Sequence, residues 1–274
     1  MRRVASALTP RGAAVQQTGP DSSRRAGSDP GGGGMRTDDI EYQADGRRLV
    51  GHLAVDDSSP DRRPAVLVCH EGGGLAAHTK VVAERLAELG YAAFVLDYMG
   101  DGQPLPTDEA TERLGALMKD PLRTRELGQA GLDVLLAQQW TDPDRIAAIG
   151  YCFGGTMSLE LARGGVPLAA VVGFHSGLAT SRPQDARNIS GSVLVCIGTE
   201  DPYVPPEQRA AFEEEMRAAG VDWRMNLYGG QVHGFTNPSA DGSREGLRYH
   251  RETDERSWRA MLDLFAEKFG PTGR

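Results

Sequence analysis

The 274-residue chain has 39% hydrophobic and 25% charged residues, the composition of an ordinary folded protein, and is long enough for one large domain with a single core. Its formal net charge of -8 argues against nucleic acid or an anionic membrane surface as the main partner. No apolar run approaches the roughly 20 residues that a membrane-spanning helix needs, so we expect no membrane association.

Residues 1–34 differ in composition from everything that follows. They contain five arginines and two aspartates, many Ser, Pro and Gly residues and no periodic apolar face, and they end in four glycines. Such a segment cannot bury enough surface to offset its ordering entropy, so we expect a disordered extension before a folded domain at residues 35–274. Our preferred interpretation is an upstream start-codon assignment, with the protein itself beginning near Met35. A targeting segment is the alternative.

Predicted strands and helices alternate from Ile40 onward. A hairpin turned at Asp45-Gly46 comes first, and the continuous apolar run at residues 65–69 is typical of a strand buried on both faces. Further strands are predicted at residues 92–96, 146–151, 168–174, 193–198 and 223–228, and helices at 81–89, 109–118, 123–139, 153–162, 207–219 and 244–269. This order predicts a single α/β domain with a doubly wound, mostly parallel sheet and helices on both faces.

The three cysteines exclude a complete disulfide framework because their number is odd. Cys69 and Cys196 lie inside apolar runs, where cysteine acts as a small core residue, and their spacing matches no zinc pattern. This usage fits a reducing compartment. We expect a cytoplasmic monomer.

Cys152 stands at the centre of Gly150-Tyr151-Cys152-Phe153-Gly154, directly after an apolar strand. A buried strand, a sharp turn and a new helix are predicted there. This is the pattern of the G-x-S-x-G nucleophile elbow of the α/β-hydrolase fold, with cysteine in place of serine. Glycines are needed beside the nucleophile because side chains would collide with the neighbouring strand and helix. The N-terminal amides of the helix favour thiolate over thiol, so Cys152 is the candidate nucleophile.

Two candidate partners follow in the order that this fold imposes. Asp201 comes just after the strand at residues 193–198 and is the candidate acid, with Glu200 as the competing carboxylate. His233 lies in a glycine-flanked loop after the strand at residues 223–228 and is the candidate base. Asp201 would hold the imidazole tautomer and favour the imidazolium.

With these residues, the chain resembles the dienelactone hydrolase family over roughly residues 35–269. The segment at residues 150–155, Gly-Tyr-Cys-Phe-Gly-Gly, is similar to the cysteine elbow of that family. The segment at residues 69–74, Cys-His-Glu-Gly-Gly-Gly, is similar to the one that carries its auxiliary glutamate. Asp201 and His233 lie where the family has its acid and base.

The resemblance implies roles for three further residues. Glu71 would contact the resting thiol and move when substrate binds, helping to generate the thiolate. The backbone amides of Phe153 and Gly72 would form the oxyanion hole, where each donor can contribute about 2.7–4 kcal/mol to transition-state stabilisation.

Family members that act on dienelactone grip its carboxylate with arginines in two segments. Here those segments read Asp97-Tyr98-Met99-Gly100 and Phe235-Thr236-Asn237, without arginine. Because that oriented contact is missing, we expect a neutral or less polar ester or lactone as the small-molecule substrate. The candidate pocket residues, for each of which ordinary packing is an alternative, are Tyr98, Met99, His175, Tyr203 and Phe235.

No cofactor or metal is expected, because the remaining histidines have no metal-site spacing and no phosphate-binding motif occurs. We predict a cofactor-free hydrolase in which Cys152 attacks an ester or lactone carbonyl to form an acyl-thioester. The alternatives are an acyltransferase that uses the same residues and a non-catalytic binding protein or thiol sensor.

Overall fold

The computed structural model describes residues 34–270; residues 1–33, on which the expectation of a disordered extension falls, lie outside this range. The described residues form eight strands, six α-helices and one 3-10 helix. The strands are β1 (Met35–Ala44), β2 (Arg47–Asp56), β3 (Arg63–Cys69), β4 (Ala92–Leu96), β5 (Thr141–Tyr151), β6 (Ala170–Phe174), β7 (Ser192–Gly198) and β8 (Trp223–Tyr228). The helices are α1 (Ala77–Glu88), α2 (Thr107–Lys119), α3 (Pro121–Leu136), α4 (Phe153–Arg163), α5 (Pro206–Ala219) and α6 (Arg251–Phe269), and the 3-10 helix is Pro183–Asn188.

The eight strands form one sheet in the order β1-β2-β4-β3-β5-β6-β7-β8. β1 and β2 pair antiparallel around Asp45-Gly46, two residues with positive φ as a tight hairpin turn requires. β2 also pairs antiparallel with β4, and the strands from β4 to β8 in that order run parallel. Parallel neighbours need crossover connections, which the helices supply. The prediction of a doubly wound, mostly parallel sheet is confirmed.

Hydrophobic cores lie on both faces of the sheet. Side chains alternate along β3, so that Leu67 joins one core while Val66 and Val68 join the other. Helices α2 to α5 cover the first core and helices α1 and α6 cover the second. This layering is the α/β-hydrolase fold. None of the helices within residues 34–270 is long and apolar enough to cross a membrane.

The predicted start of the last helix is wrong. The sequence pattern predicted a helix from Arg244, but α6 begins at Arg251. The intervening chain instead runs beside the loop that carries His233. There, the His233 amide donates to Gly246 O and the Arg248 amide donates to His233 O, each over 3.0 Å. These backbone hydrogen bonds hold the His233 loop against its neighbour.

Candidate active site

Cys152 occupies the turn between β5 and α4. Its φ of 54° and ψ of -122° lie outside the regions that non-glycine residues favour, at a cost of about 1–3 kcal/mol. Its amide donates to Phe174 O over 3.0 Å, and its carbonyl accepts from Gly155 N over 3.1 Å. The half-buried thiol therefore stands at the carboxyl end of β5, at the start of a helix.

Glycines allow this turn to pack closely. A Cβ at Gly150 would lie 2.1 Å from the backbone of Gly154, and a Cβ at Gly154 would lie 2.1 Å from Cys69 O. A Cβ at Gly155 would lie 2.3 Å from the side chain of Ser176. Such distances are too short for any side chain, so β3, β5 and α4 can meet only through glycine.

The two backbone amides expected to bind an oxyanion lie beyond the neighbouring strands β3 and β5. Phe153 is the first residue of α4, so its amide has no acceptor within the helix. Gly72 lies in the turn after β3, which the amide of Gly74 closes by donating to Glu71 O over 3.3 Å. A Cβ at Gly72 would lie 2.7 Å from Leu114 of α2, so α2 packs against this turn.

Asp201 and His233 follow β7 and β8, and their side chains form a hydrogen bond. Asp201 Oδ2 lies 2.8 Å from His233 Nδ1, and Asp201 Oδ1 accepts from the Tyr203 amide over 2.9 Å. Both side chains are buried. The competing carboxylate, Glu200, is exposed and accepts from the Thr199 hydroxyl over 3.2 Å. The structure therefore brings Asp201 to the histidine.

Cys152 is near enough to His233 to raise the pKa of its imidazole, so the thiol, the imidazole and Asp201 interact in that order. Burial alone would lower the pKa of His233. The hydrogen bonds and charges of Asp201 and Cys152 outweigh burial and raise the pKa to about 10. This environment favours the imidazolium form. The ring of Tyr203 packs against the imidazole at a steep angle, with 4.9 Å between ring centroids.

Glu71 lies just beyond β3, with its carboxylate hydrogen-bonded to Asn237. The Asn237 amide donates to Glu71 Oε2 over 2.8 Å, and His78 Nε2 lies 3.8 Å from the same oxygen. Burial raises the pKa of Glu71, while the charge of His233 and the Asn237 hydrogen bond act in the opposite direction. The resemblance implied a contact with the resting thiol, whereas the hydrogen bond seen here goes to Asn237.

Comparison with known proteins connects this geometry to a family. The model of the dienelactone hydrolase family matches residues 50–269, which is most of the chain and includes every residue of the site described above. The chain belongs to the dienelactone hydrolase family. The resemblance found in the sequence is therefore confirmed, and this family member is a carboxylic-ester hydrolase that acts on a small molecule.

Similar proteins cover nearly the whole folded part. The solved structure of "m3DLH" has 44% identity and a TM-score of 0.83 and covers 86% of this chain and 100% of its own. A dienelactone hydrolase-like promiscuous phosphotriesterase, P91 from metagenomic libraries, has 40% identity and a TM-score of 0.82, covering 87% and 100%. "Protein usf" of Aquifex pyrophilus is 28% identical over 238 residues, covering 83% of this chain and 97% of its own.

The five candidate pocket residues differ in exposure. Tyr98, Met99 and Phe235 are almost completely buried, and the Tyr98 hydroxyl donates to His70 O over 2.9 Å. His175 is also fully buried, with its ring 4.8 Å from that of His233. Tyr203 is 48% exposed, so it alone of these five presents a large open surface beside the imidazole. In this family member, four of the five lie beneath the surface of the site.

Residues that hold the dienelactone hydrolase site together were missed from the sequence. Asn237 and Thr236 were considered only for the arginine that they replace, yet Asn237 binds Glu71 and Thr236 Oγ1 lies 2.8 Å from His175 Nε2. Because the two residues of each hydrogen bond are far apart in the chain, no local sequence pattern indicates these contacts. Asp97 was likewise noted only for a missing arginine, although its carboxylate accepts from the amides of four residues, Val50, Met99, Gly100 and Gly102.

Within residues 34–270, no group of three or more His, Cys, Asp or Glu side chains is arranged to hold a metal ion. The thiols of all three cysteines are free. Burial raises the pKa of both Cys69 and Cys196 to about 12.

Proposed function

We propose that this protein hydrolyses a neutral or weakly polar ester or lactone by nucleophilic catalysis at Cys152, without a cofactor. The observation that carries the proposal is the hydrogen bond between His233 and Asp201, together with the effect of Cys152 on the pKa of the same imidazole. The site combines a nucleophile in a strained turn, a base that can hold a proton and a buried carboxylate that orients the base. Nucleophilic catalysis requires these three components in this order.

In the first half-reaction, the thiol proton of Cys152 is held by His233, and Cys152 Sγ attacks the carbonyl carbon. The tetrahedral intermediate then collapses, breaking the bond between carbon and the leaving oxygen. His233 gives its proton to that oxygen, and the alcohol leaves. The product on the enzyme is an acyl-thioester of Cys152. For a lactone, the alcohol remains attached to the acyl group because the broken bond belonged to the ring.

In the second half-reaction, water attacks the acyl-thioester. His233 takes a proton from the water as the oxygen bonds to the carbonyl carbon, and the second tetrahedral intermediate expels Cys152 as thiolate. The carboxylic acid leaves and the Cys152–His233 pair is restored. Asp201 holds the imidazole through Nδ1 in both halves, so the same ring nitrogen, Nε2, is directed to the reacting atoms.

The amides of Phe153 and Gly72 would stabilise the oxyanion of both intermediates. They lie beyond adjacent parallel strands, and the amide of Phe153 adds the partial positive charge of a helix N-terminus. Glu71 would add negative charge near His233 and thereby favour the imidazolium form, because the charge on His233 lowers the pKa of Glu71. Both contributions act where charge develops during the reaction.

The proposed substrate is neutral because neither expected arginine segment supplies a cation. Tyr98 and Met99 are buried in the first segment, and Asn237 in the second donates its amide to Glu71. Tyr203 offers an exposed ring beside His233 for an apolar part of the substrate. A substrate carboxylate would lack a bidentate partner here, so neutral esters should be preferred.

A neutral phosphotriester is a second candidate substrate. The name of P91, at 40% identity over 87% of this chain, describes a promiscuous phosphotriesterase. The missing arginines favour a neutral ester of either kind. In this reaction, Cys152 Sγ would form a bond to phosphorus as the bond from phosphorus to the leaving oxygen breaks, and His233 would protonate that oxygen. Water, giving a proton to His233, would then displace the thiolate and release a phosphodiester.

The test compares wild type with Cys152→Ala on p-nitrophenyl acetate, a panel of small lactones and a neutral p-nitrophenyl phosphotriester. Cys196→Ala is the matched control, because Cys196 is a fully buried thiol whose side chain contacts the hydroxyl of Tyr228. We expect turnover by the wild type and by Cys196→Ala and none by Cys152→Ala. Equal product release by wild type and Cys152→Ala would overturn the proposal. Stoichiometric thiol modification without turnover would favour the thiol sensor, and transfer to added alcohols in preference to water would favour the acyltransferase.

A further inference from the structure

His175 is a buried residue to which the proposed reaction assigns no chemical step. It follows β6, is completely buried and has a φ of 40°, a left-handed conformation that is rare for side chains of this size. Its backbone amide donates to Cys196 O over 2.8 Å, which fixes the turn against β7. A strained residue persists only where its surroundings hold it, and such residues concentrate at functional sites.

The ring of His175 is attached to the loop that carries His233. Nε2 of His175 lies 2.8 Å from Oγ1 of Thr236, a buried residue three positions after His233. The other ring nitrogen, Nδ1, has no hydrogen-bond partner within residues 34–270. The side-chain hydrogen bond of this ring goes to Thr236, and it joins the residue after β6 to the His233 loop.

The ring of His175 also packs against the imidazole of His233. The two ring centroids are 4.8 Å apart at an interplanar angle of 67°, and Phe235 packs on His175 at 5.2 Å and 82°. Tyr203 contacts His233 as well, at 4.9 Å and 74°. Edge-to-face contacts of this kind restrict the tilt of a ring. With Asp201 bound to Nδ1, His233 is restrained by its neighbours on several sides.

His175 can restrain His233 without competing for its proton. Burial, followed by the nearby charge of His233, holds the pKa of His175 well below its ordinary value, and His78 acts in the same direction. The groups that act on the proton of His233 are Asp201 and Cys152, which raise its pKa. A neutral ring beside an imidazolium avoids the repulsion that a second cation would cause.

We propose that His175 is a positioning residue for this reaction, which holds the imidazole of His233 toward Cys152 and Asp201 through its hydrogen bond to Thr236 and its ring contact. The inference rests on the proposed function, because it assigns His175 a role only if His233 transfers protons. His175 itself touches neither substrate nor a reacting atom in this scheme.

The experiment uses two matched substitutions and their combination. His175→Phe keeps an aromatic ring and removes Nε2, whereas Thr236→Val keeps the shape and removes the hydroxyl. We expect each to lower kcat about tenfold with KM nearly unchanged, because a small misplacement of a reacting group slows the reaction without weakening substrate binding. The double variant should be no slower than the slower single variant, since both changes remove the same hydrogen bond.

The pH profile of kcat/KM separates positioning from simple destabilisation. The alkaline limb reports His233, whose pKa of about 10 depends on its hydrogen bonds with Asp201 and Cys152. Loosening the His233 loop should weaken those bonds and move the limb to lower pH in His175→Phe and Thr236→Val. Retention of the alkaline limb at its wild-type pH in both variants would overturn the proposal, as would rate losses that multiply in the double variant.

The control is His52→Phe. His52 is also buried, and its Nδ1 lies 2.7 Å from Asp39, on strands at the opposite edge of the sheet from β7 and β8. This variant should lower Tm and leave kcat and the alkaline limb unchanged. If His175→Phe does not fold, Thr236→Val tests the proposal by its kcat and by the pH of its alkaline limb. Turnover by Cys152→Ala would instead refute the proposed function itself, whatever the His175 variants do.

Discussion

Replacement of Asp201 by asparagine isolates the contribution of the buried carboxylate to the site. The pKa of His233 rises from an ordinary value of 6.5 to about 10 although burial opposes the rise. A rise of roughly 3.5 corresponds to about 5 kcal/mol at about 1.36 kcal/mol for each unit of pKa. Asp201 and Cys152 are the two groups responsible, and the hydrogen bond to Asp201 is the largest single contribution that raises the pKa.

Asp201→Asn removes this largest contribution, and a loss of about 3 kcal/mol would lower kcat/KM about 10²-fold. The amide can also donate a hydrogen bond to Nδ1 and so favour the wrong imidazole tautomer, which adds to the loss. The alkaline limb of the kcat/KM profile should move from near pH 10 to lower pH, because a group that raises the pKa of His233 is removed. The measurement is a pH series with p-nitrophenyl acetate, with a circular dichroism spectrum as the check on folding.

Glu200→Gln is the matched control for this prediction. Glu200 precedes Asp201 in the chain but is exposed and has no hydrogen bond to His233. Glu200→Gln should keep the wild-type kcat/KM and the wild-type pH profile of kcat/KM. A folded Asp201→Asn variant with less than a threefold loss of kcat/KM and an unmoved alkaline limb would refute the assignment of Asp201 as the residue that orients and charges His233.

Three further predictions concern residues around the site. Gly154→Ala should lower the free energy of unfolding by at least about 3 kcal/mol. The new Cβ would lie 2.1 Å from the backbone oxygen of Cys69, which cannot move aside. Chemical denaturation measures the change in the free energy of unfolding. Asn237→Leu should raise the pKa of Glu71 further by removing a hydrogen bond to the carboxylate, so the acid limb of the kcat/KM profile should move to higher pH. Asp97→Asn should destabilise the fold by about 2 kcal/mol above pH 4. Burial alone would raise the pKa of Asp97, but the nearby His70 and hydrogen bonds from backbone amides, those of Gly100 and Val50 among them, lower it from 3.8 to about 2. The stabilisation by this carboxylate is therefore present above pH 3.8 and is lost as pH falls through about 2.

Each of these predictions has its own control or contrary result. Gly115 lies in α2 with open space where a Cβ would stand, so Gly115→Ala should raise Tm where Gly154→Ala lowers it. An acid limb unchanged in Asn237→Leu would show that this hydrogen bond does not tune Glu71. Equal stability of Asp97→Asn and wild type at pH 7 would contradict the role given to the Asp97 carboxylate.

Much of the fold could be predicted because the strands are strongly apolar and bounded by glycine, proline or charged residues. The strands at Ala92–Leu96 and Trp223–Tyr228 match their predicted bounds. The elbow at Cys152 was recognisable for a related reason. Its close packing imposes glycine at fixed positions, which leaves a pattern in the sequence. Local steric requirements are therefore readable from the chain.

Features that depend on distant partners were not readable in the same way. The start of α6 was placed seven residues too early, at Arg244, because the residues before Arg251 bond to the His233 loop and do not continue the helix. The Glu71–Asn237 hydrogen bond joins residues 166 positions apart. The short helix Pro183–Asn188 was also missed. Neither hydrophobic periodicity nor a capping pattern records contacts of these kinds.

The central claim is that Cys152 carries the acyl group during turnover. Rapid mixing of the protein with p-nitrophenyl acetate, followed by acid quenching and peptide mass spectrometry, tests it directly. We predict one acetyl group on the peptide that contains Cys152, formed in the first turnover and lost at the rate of the steady-state reaction. An acetyl group on another side chain, or undiminished turnover while Cys152 stays unmodified, would contradict the mechanism.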